Sequence, residues 1–254
     1  MRNRIALCGL AMVALGLPAV TYAQSPYVSM VADGRLSQTV GIPAAGQRCF
    51  YFQGVAGRAY SVEVESVFAE GGYTAFMGGP GAVCPAADAA GLTDTSLNDP
   101  GYVAPSYGRR VSFVAPSTNY YMMTVNNTSG GTTNWRGSVI DTTQFSPAWS
   151  TNGSYDTFYS LHNTTSATCT GTLTLRNTAG TIVTTAAITV APGATTATNT
   201  SALGTVRNTS GTARLTHNCP AGGILPEAAI ANFTITPTPY FQFVHFQSVR
   251  GPIL

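Results

Sequence analysis

Apolar and polar residues alternate with a period of two through most of this chain, as in Ala59-Tyr60-Ser61-Val62-Glu63-Val64-Glu65. Successive strand side chains point to opposite faces, so the pattern predicts strands with one covered and one wet face. Arg48-Cys49-Phe50-Tyr51-Phe52-Gln53 precedes that stretch, and Gly54-Val55-Ala56-Gly57-Arg58 lies between them, which reads as strand, turn, strand. Val111-Ser112-Phe113-Val114 and Tyr120-Tyr121-Met122-Met123-Thr124-Val125 continue the series. Between the two pairs runs a Gly, Ala, Asp and Pro-rich segment, 78–108, expected to be a long loop and a place for function.

Further along, Thr172-Leu173-Thr174-Leu175-Arg176 leads through Asn177-Thr178-Ala179-Gly180 into a strand from Thr181 to Val190, ended by Ala191-Pro192-Gly193. Asn and Gly tolerate positive φ, so this is a hairpin with turn chemistry. Similar words recur in Thr205-Val206-Arg207-Asn208-Thr209-Ser210-Gly211-Thr212, and the turn again in Asn127-Thr128-Ser129-Gly130. Convergent turn chemistry and internal duplication both account for so short a shared octet. No segment after the first 23 residues predicts a helix, and the fold class is all-β: two β-sandwich domains in tandem, jelly-roll or Ig-like.

The first residues read differently. Arg2 and Arg4 precede an apolar run from Ile5 to Leu17 and the small-residue ending Thr21-Tyr22-Ala23, which predicts a signal peptide over 1–23. The run is shorter than the roughly 20 residues of a membrane span. Cys8 follows Leu7 and not the small residue of a lipoprotein signal. A break in the alternation from Asp141 to Pro147 predicts a linker, giving domains over 24–141 and 148–254 with 142–147 between them.

The cysteines support this division. Beyond Cys8 there are four, and they fall two and two: Cys49 with Cys84, Cys169 with Cys219. In the oxidising compartment that an export signal implies, each pair is expected as a disulfide, contributing roughly 4 kcal/mol by restricting the unfolded chain. Such pairing removes the thiols from any list of nucleophiles or metal ligands.

Charged residues make up 9% of the chain and there is no lysine. Without the leader, ten arginines face ten acidic residues. The only basic pair is Arg109-Arg110, so no funnel for nucleic acid exists. With 44% apolar residues the chain still builds a sizeable core.

Candidate chemistry is sparse. No Ser lies in a Gly-x-Ser-x-Gly elbow, and three histidines remain as bases: His162, His217 and His245. His217 sits two residues before Cys219, a same-face spacing that would suit zinc were Cys219 not expected in a disulfide. His245 alternates with Phe241 and Phe243, which predicts a core or edge histidine. Glu63 and Glu65 share a strand face and read as its outward polar side. Asp88, Asp94 and Asp99 share the long loop as candidate calcium ligands, although their interval matches no EF-hand or nonapeptide repeat. No cofactor is expected, with calcium as the alternative.

Aromatics offer the remaining positive chemistry. Trp135, Trp149, Tyr155, Tyr159 and the pair Tyr120-Tyr121 would form a stacking platform for neutral sugar rings if exposed, and would fill cores and interfaces if not. A nearly uncharged, Thr- and Asn-rich surface suits a neutral glycan.

The stretch Gly46-Gln47-Arg48-Cys49-Phe50-Tyr51-Phe52-Gln53-Gly54-Val55-Ala56-Gly57-Arg58-Ala59-Tyr60-Ser61-Val62-Glu63-Val64-Glu65, with Ser117-Thr118-Asn119-Tyr120-Tyr121-Met122-Met123-Thr124-Val125, resembles the bacterial pre-peptidase C-terminal domain. That resemblance implies a jelly-roll-like sandwich of the kind appended to secreted enzymes. Gln47-Arg48-Cys49 stands where the family carries acidic residues, so it transfers no calcium set. The second half, from Asn152-Gly153-Ser154-Tyr155 to Phe241-Gln242-Phe243-Val244-His245, resembles β-sandwich modules of unassigned function in secreted bacterial proteins, with Asn218-Cys219-Pro220 where those show Asn-Gly-Pro. The expectation is a secreted or periplasmic, non-enzymatic, cell-surface, adhesive or accessory binding module, its partner a neutral glycan or another surface protein. A hydrolase with an unrecognised Ser/His site is one reading from a different class, and a structural subunit that assembles through its sheet edges is another.

Overall fold

A computed structural model describes residues 25–68, 72–85, 108–235 and 239–248, with the backbone of 93–96. The described residues are all-β. In the first half run β1 (Tyr27–Ser29), β2 (Val40–Ile42), β3 (Gln47–Gly54), β4 (Ala59–Ser66), β5 (Tyr73–Gly78), β6 (Thr93–Ser96), β7 (Gly108–Val114), β8 (Asn119–Asn127) and β9 (Thr133–Asp141). They form two sheets, β1-β3-β8-β5 and β2-β9-β4-β7-β6. Part of the expected loop over 78–108 is thus an edge strand, β6 on β7.

The inward residues of both sheets make one core, with Phe50 and Phe52 of β3, Met123 and Val125 of β8, Val62 and Val64 of β4, and Trp135 and Val139 of β9. Each fully buried side chain of this size contributes roughly 1.5–3 kcal/mol. Cross-strand register explains the outward face of β4. Glu63 lies opposite Arg110 of β7 and Glu65 opposite Arg136 of β9, and both pairs form ion pairs.

The second half contains β10 (Gln144–Ser150), β11 (Tyr155–Asn163), β12 (Cys169–Asn177), β13 (Ile182–Val190), β14 (Thr195–Asn199), β15 (Ser210–His217), β16 (Ile224–Asn232), β17 (Tyr240–His245) and β18 (Gln247–Ser248). Its sheets are β13-β12-β15-β10-β18 and β14-β11-β16-β17. A second core joins them, around Trp149, Tyr159, Leu161, Leu173, Leu215, Ile230 and Val244. The β12–β13 hairpin turns as its residues predict. Gly180 takes φ +80°, and the Asn177 side-chain oxygen accepts from the Ala179 and Thr181 amides.

Both expected disulfides are present, Cys49–Cys84 and Cys169–Cys219, spanning 35 and 50 residues. The segment 142–147, expected as a linker, is largely structured. Gln144 already belongs to β10, opposite Leu215 of β15. Thr142 and Thr143 are buried: the Thr142 amide donates to the Ala59 carbonyl, and Thr143 Oγ1 accepts from the Ala59 amide. Backbone polar groups buried at a junction need partners, and here the start of β4 supplies them. Arg58 adds an ion pair to the buried Asp141 at 2.9 Å.

Candidate functional site

Of the two readings of these rings, exposed platform or core filling, core filling holds for most of them. Trp135, Trp149 and Tyr159 are fully buried core residues. Trp135 packs edge-on to Tyr73 and donates its indole N–H to Thr133, while Trp149 donates to the Arg176 and Thr212 carbonyls. An indole whose face and N–H are both engaged inside a sandwich has nothing left for a sugar. Tyr155 is half-buried against Tyr240. The Tyr159 hydroxyl has no hydrogen-bond partner among the described residues, and burial pushes its pKa well above the ordinary phenol value.

The histidines are dispersed over the second half. His162 Nδ1 shares a hydrogen bond with Thr195 Oγ1 at 3.0 Å on an outer face. His217 is buried beside Cys219, whose sulfur is committed to Cys169, so the zinc arrangement does not arise. Burial lowers the His217 pKa to about 4, against the opposing effect of a hydrogen bond to the Cys219 backbone. Among the described residues no group of three or more His, Cys, Asp or Glu could hold a metal ion. Asp88 and Asp99 lie outside the described residues, and of Asp94 only the backbone, in β6, is described.

What the sequence reading missed lies on the outer face of the sheet β14-β11-β16-β17. His245 lies on the edge strand β17, one of the two places expected for it, and this face of β17 points to solvent, with Phe243 72% exposed and Phe241 50%. Registry places Phe158 of β11, Ala229 of β16 and Phe243 of β17 in one row across the sheet. The next row holds Ala197, Ser160, Glu227 and His245. Adjacent strands lie about 4.8 Å apart, so the two phenylalanine-bearing strands stand about 10 Å apart with only a methyl group between them. The result is an open groove of about 210 Å³, lined by Phe158, Ser160, Ala197, Glu227, Ala229 and Phe243 among others.

Beside one end of this row stands an aromatic cluster. Phe233 stands edge-on to Phe158, with centroids 5.5 Å apart, and edge-on to Phe241 at 5.4 Å. At the other end the Glu227 carboxylate and Ser160 hydroxyl offer hydrogen bonds. A flat ring in van der Waals contact on both sides needs about 7 Å, which the spacing provides. The volume is below the roughly 300 Å³ at which drug-sized pockets begin, so the groove seats one ring-sized group.

A second aromatic surface lies on the first half. Tyr27, Tyr51 and Tyr120 form an edge-to-face ladder on the sheet β1-β3-β8-β5, with centroid distances of 6.1 and 5.9 Å. Tyr120, foreseen as a platform residue, is exposed here, whereas its neighbour Tyr121 is buried and donates its hydroxyl to the Ser117 carbonyl. Among the described residues no helix is long and apolar enough to cross a membrane. No protein-family model matches the chain, and no curated protein matches it.

Proposed function

We propose that this chain is an exported, non-enzymatic binding module that engages a cell-surface partner through the groove on its C-terminal sandwich. The observation that carries this reading is the row Phe158–Ala229–Phe243. Phe243 is held in water, with Phe158 half-buried across from it, on a sheet whose other face already supplies a core. Contiguous exposed apolar surface rimmed by polar groups is typical of interaction sites. The export expected from the leader and the pair of disulfides fits an extracytoplasmic setting.

The favoured ligand is an apolar-faced, ring-sized group that carries a hydrogen-bond donor toward Glu227. Retention of labelled protein on envelope preparations from the producing cells tests the proposal. Phe158→Ala and Phe243→Ala should each weaken retention about tenfold or more, as expected when a buried aromatic anchor is truncated. Retention unchanged in the double variant, with the fold intact by circular dichroism, would remove the groove from consideration.

A neutral-carbohydrate module is the second reading, favoured by the ladder Tyr27–Tyr51–Tyr120. Tyrosines present both a stacking face and a hydroxyl, the two features a neutral sugar uses. Under this reading neutral oligosaccharides compete for retention, and Tyr120→Ala, not Phe243→Ala, abolishes it.

A further inference from the structure

Among the described residues the sheet β14-β11-β16-β17 ends on β17, and no strand hydrogen-bonds along its outer edge. Natural edges are blunted by Lys, Pro, bulges, short length or coverage from the other sheet. At the opposite side of the same sandwich such coverage exists: Thr196 Oγ1 donates to the Thr189 carbonyl of β13, and Thr184 Oγ1 to the Leu203 carbonyl. β17 has six residues, Tyr240-Phe241-Gln242-Phe243-Val244-His245, without Lys, Pro or a carboxylate. It pairs without a bulge along β16, and all of its residues except Val244 are exposed.

This strand is also complementary to itself. Antiparallel pairing of two copies about Gln242 sets Phe241 opposite the other copy's Phe243, twice, on the outer face. Tyr240 then faces Val244 twice on the other side, and Gln242 faces Gln242. Aromatic–aromatic and aromatic–β-branched pairs are the favourable cross-strand combinations, and no like charges meet. A two-fold axis of this kind is perpendicular to the sheet, so the outer faces of both copies stay on one side.

We infer that two copies of this protein pair through β17, extending the sheet β14-β11-β16-β17 into a continuous sheet of twice its four strands. The contact is isologous, so it closes as a dimer. It also brings the two Phe158–Ala229–Phe243 grooves onto one surface, where a partner with repeated ligands is held by both. The pairing goes beyond the binding role proposed above and stands or fails separately from it.

Sedimentation of the mature chain over a concentration series tests the pairing, with a mass of two chains expected. Gln242→Lys and Phe243→Lys keep the backbone intact and should return the monomer, with circular dichroism unchanged. Gln242→Cys, on the symmetry axis, should form an intermolecular disulfide on mild oxidation, because directly opposed Cβ atoms approach within about 5 Å. Tyr240→Cys, opposite Val244, should not. A dimer that persists in both Lys variants, or cross-links through Tyr240→Cys and not through Gln242→Cys, overturns the inference. A monomer throughout the series overturns it too, and leaves this edge to a strand from a different protein.

Discussion

Asn163 and Thr165 are locked together by two hydrogen bonds: the asparagine side-chain oxygen accepts from both the Thr165 amide and its hydroxyl, each at 2.8 Å. The Asn163 amide group donates in turn to the Ala167 and Val190 carbonyls, and the residue is fully buried. The same arrangement closes β8, where the Asn127 oxygen accepts twice from Ser129, and β16, where Asn232 accepts twice from Thr234. At these three positions Asn-x-Ser/Thr ends a strand. An asparagine that satisfies the backbone of two segments leaves no buried polar group behind.

Asn163→Ala should accordingly destabilise the protein by about 2–3 kcal/mol, since it strands the buried Val190 carbonyl and removes three further partners of the Asn163 side chain. Denaturant unfolding measures the loss. Asn177→Ala, in the exposed hairpin turn, should cost about 1 kcal/mol or less, because solvent replaces its partners.

Stability should fall below neutral pH through His217. Its pKa is about 4 in the folded protein against 6.5 for the free side chain, so the unfolded chain takes up a proton first as pH drops. The stabilisation is complete above pH 6.5 and is lost between 6.5 and 4, where both states are protonated. A depression of this size corresponds to roughly 3 kcal/mol. Denaturation midpoints across this window should decline, and His217→Gln should flatten the decline.

Tyr159→Phe should be neutral or stabilising, by up to about 1 kcal/mol. Its hydroxyl is buried without a partner among the described residues, so deletion removes a desolvated group and keeps the ring in the core. A lowered thermal midpoint would contradict this.

The two tryptophans sit in different cores and report on them separately. In Trp135→Phe, fluorescence follows Trp149 alone. Removing the Cys169–Cys219 bridge by a double Ala substitution should move that transition to lower denaturant, by roughly 4 kcal/mol. The Trp135 signal, read in Trp149→Phe, should move much less if the halves unfold independently. Equal shifts would mean that the junction of Arg58, Asp141 and Thr143 couples them into one cooperative unit.

Much of the architecture was legible in the residues. Period-two alternation marked β3, β4, β7, β8 and β12, and Asn177 with Gly180 marked the hairpin. Cysteine spacing suggested the pairing of both bridges. Strand β10 was not legible from Gln144 to Pro147, because it carries Pro147 on an irregular part of its pairing with β15, between Ser146 and Trp149, where alternation is lost.

Local sequence by itself determined which residues form strands, where the chain turns, and which side chains share a face, because these follow from backbone geometry over a few residues. It left undetermined which face is covered. Phe241 and Phe243 alternate just as Phe50 and Phe52 do, yet the first pair faces water and the second fills a core. That difference arises from the sheet packed opposite, and burial of a strand face depends on residues distant in sequence. Only the tertiary structure therefore removed Trp135 and Trp149 from the surface, set Phe158 and Phe243 either side of Ala229, and placed β17 last in its sheet.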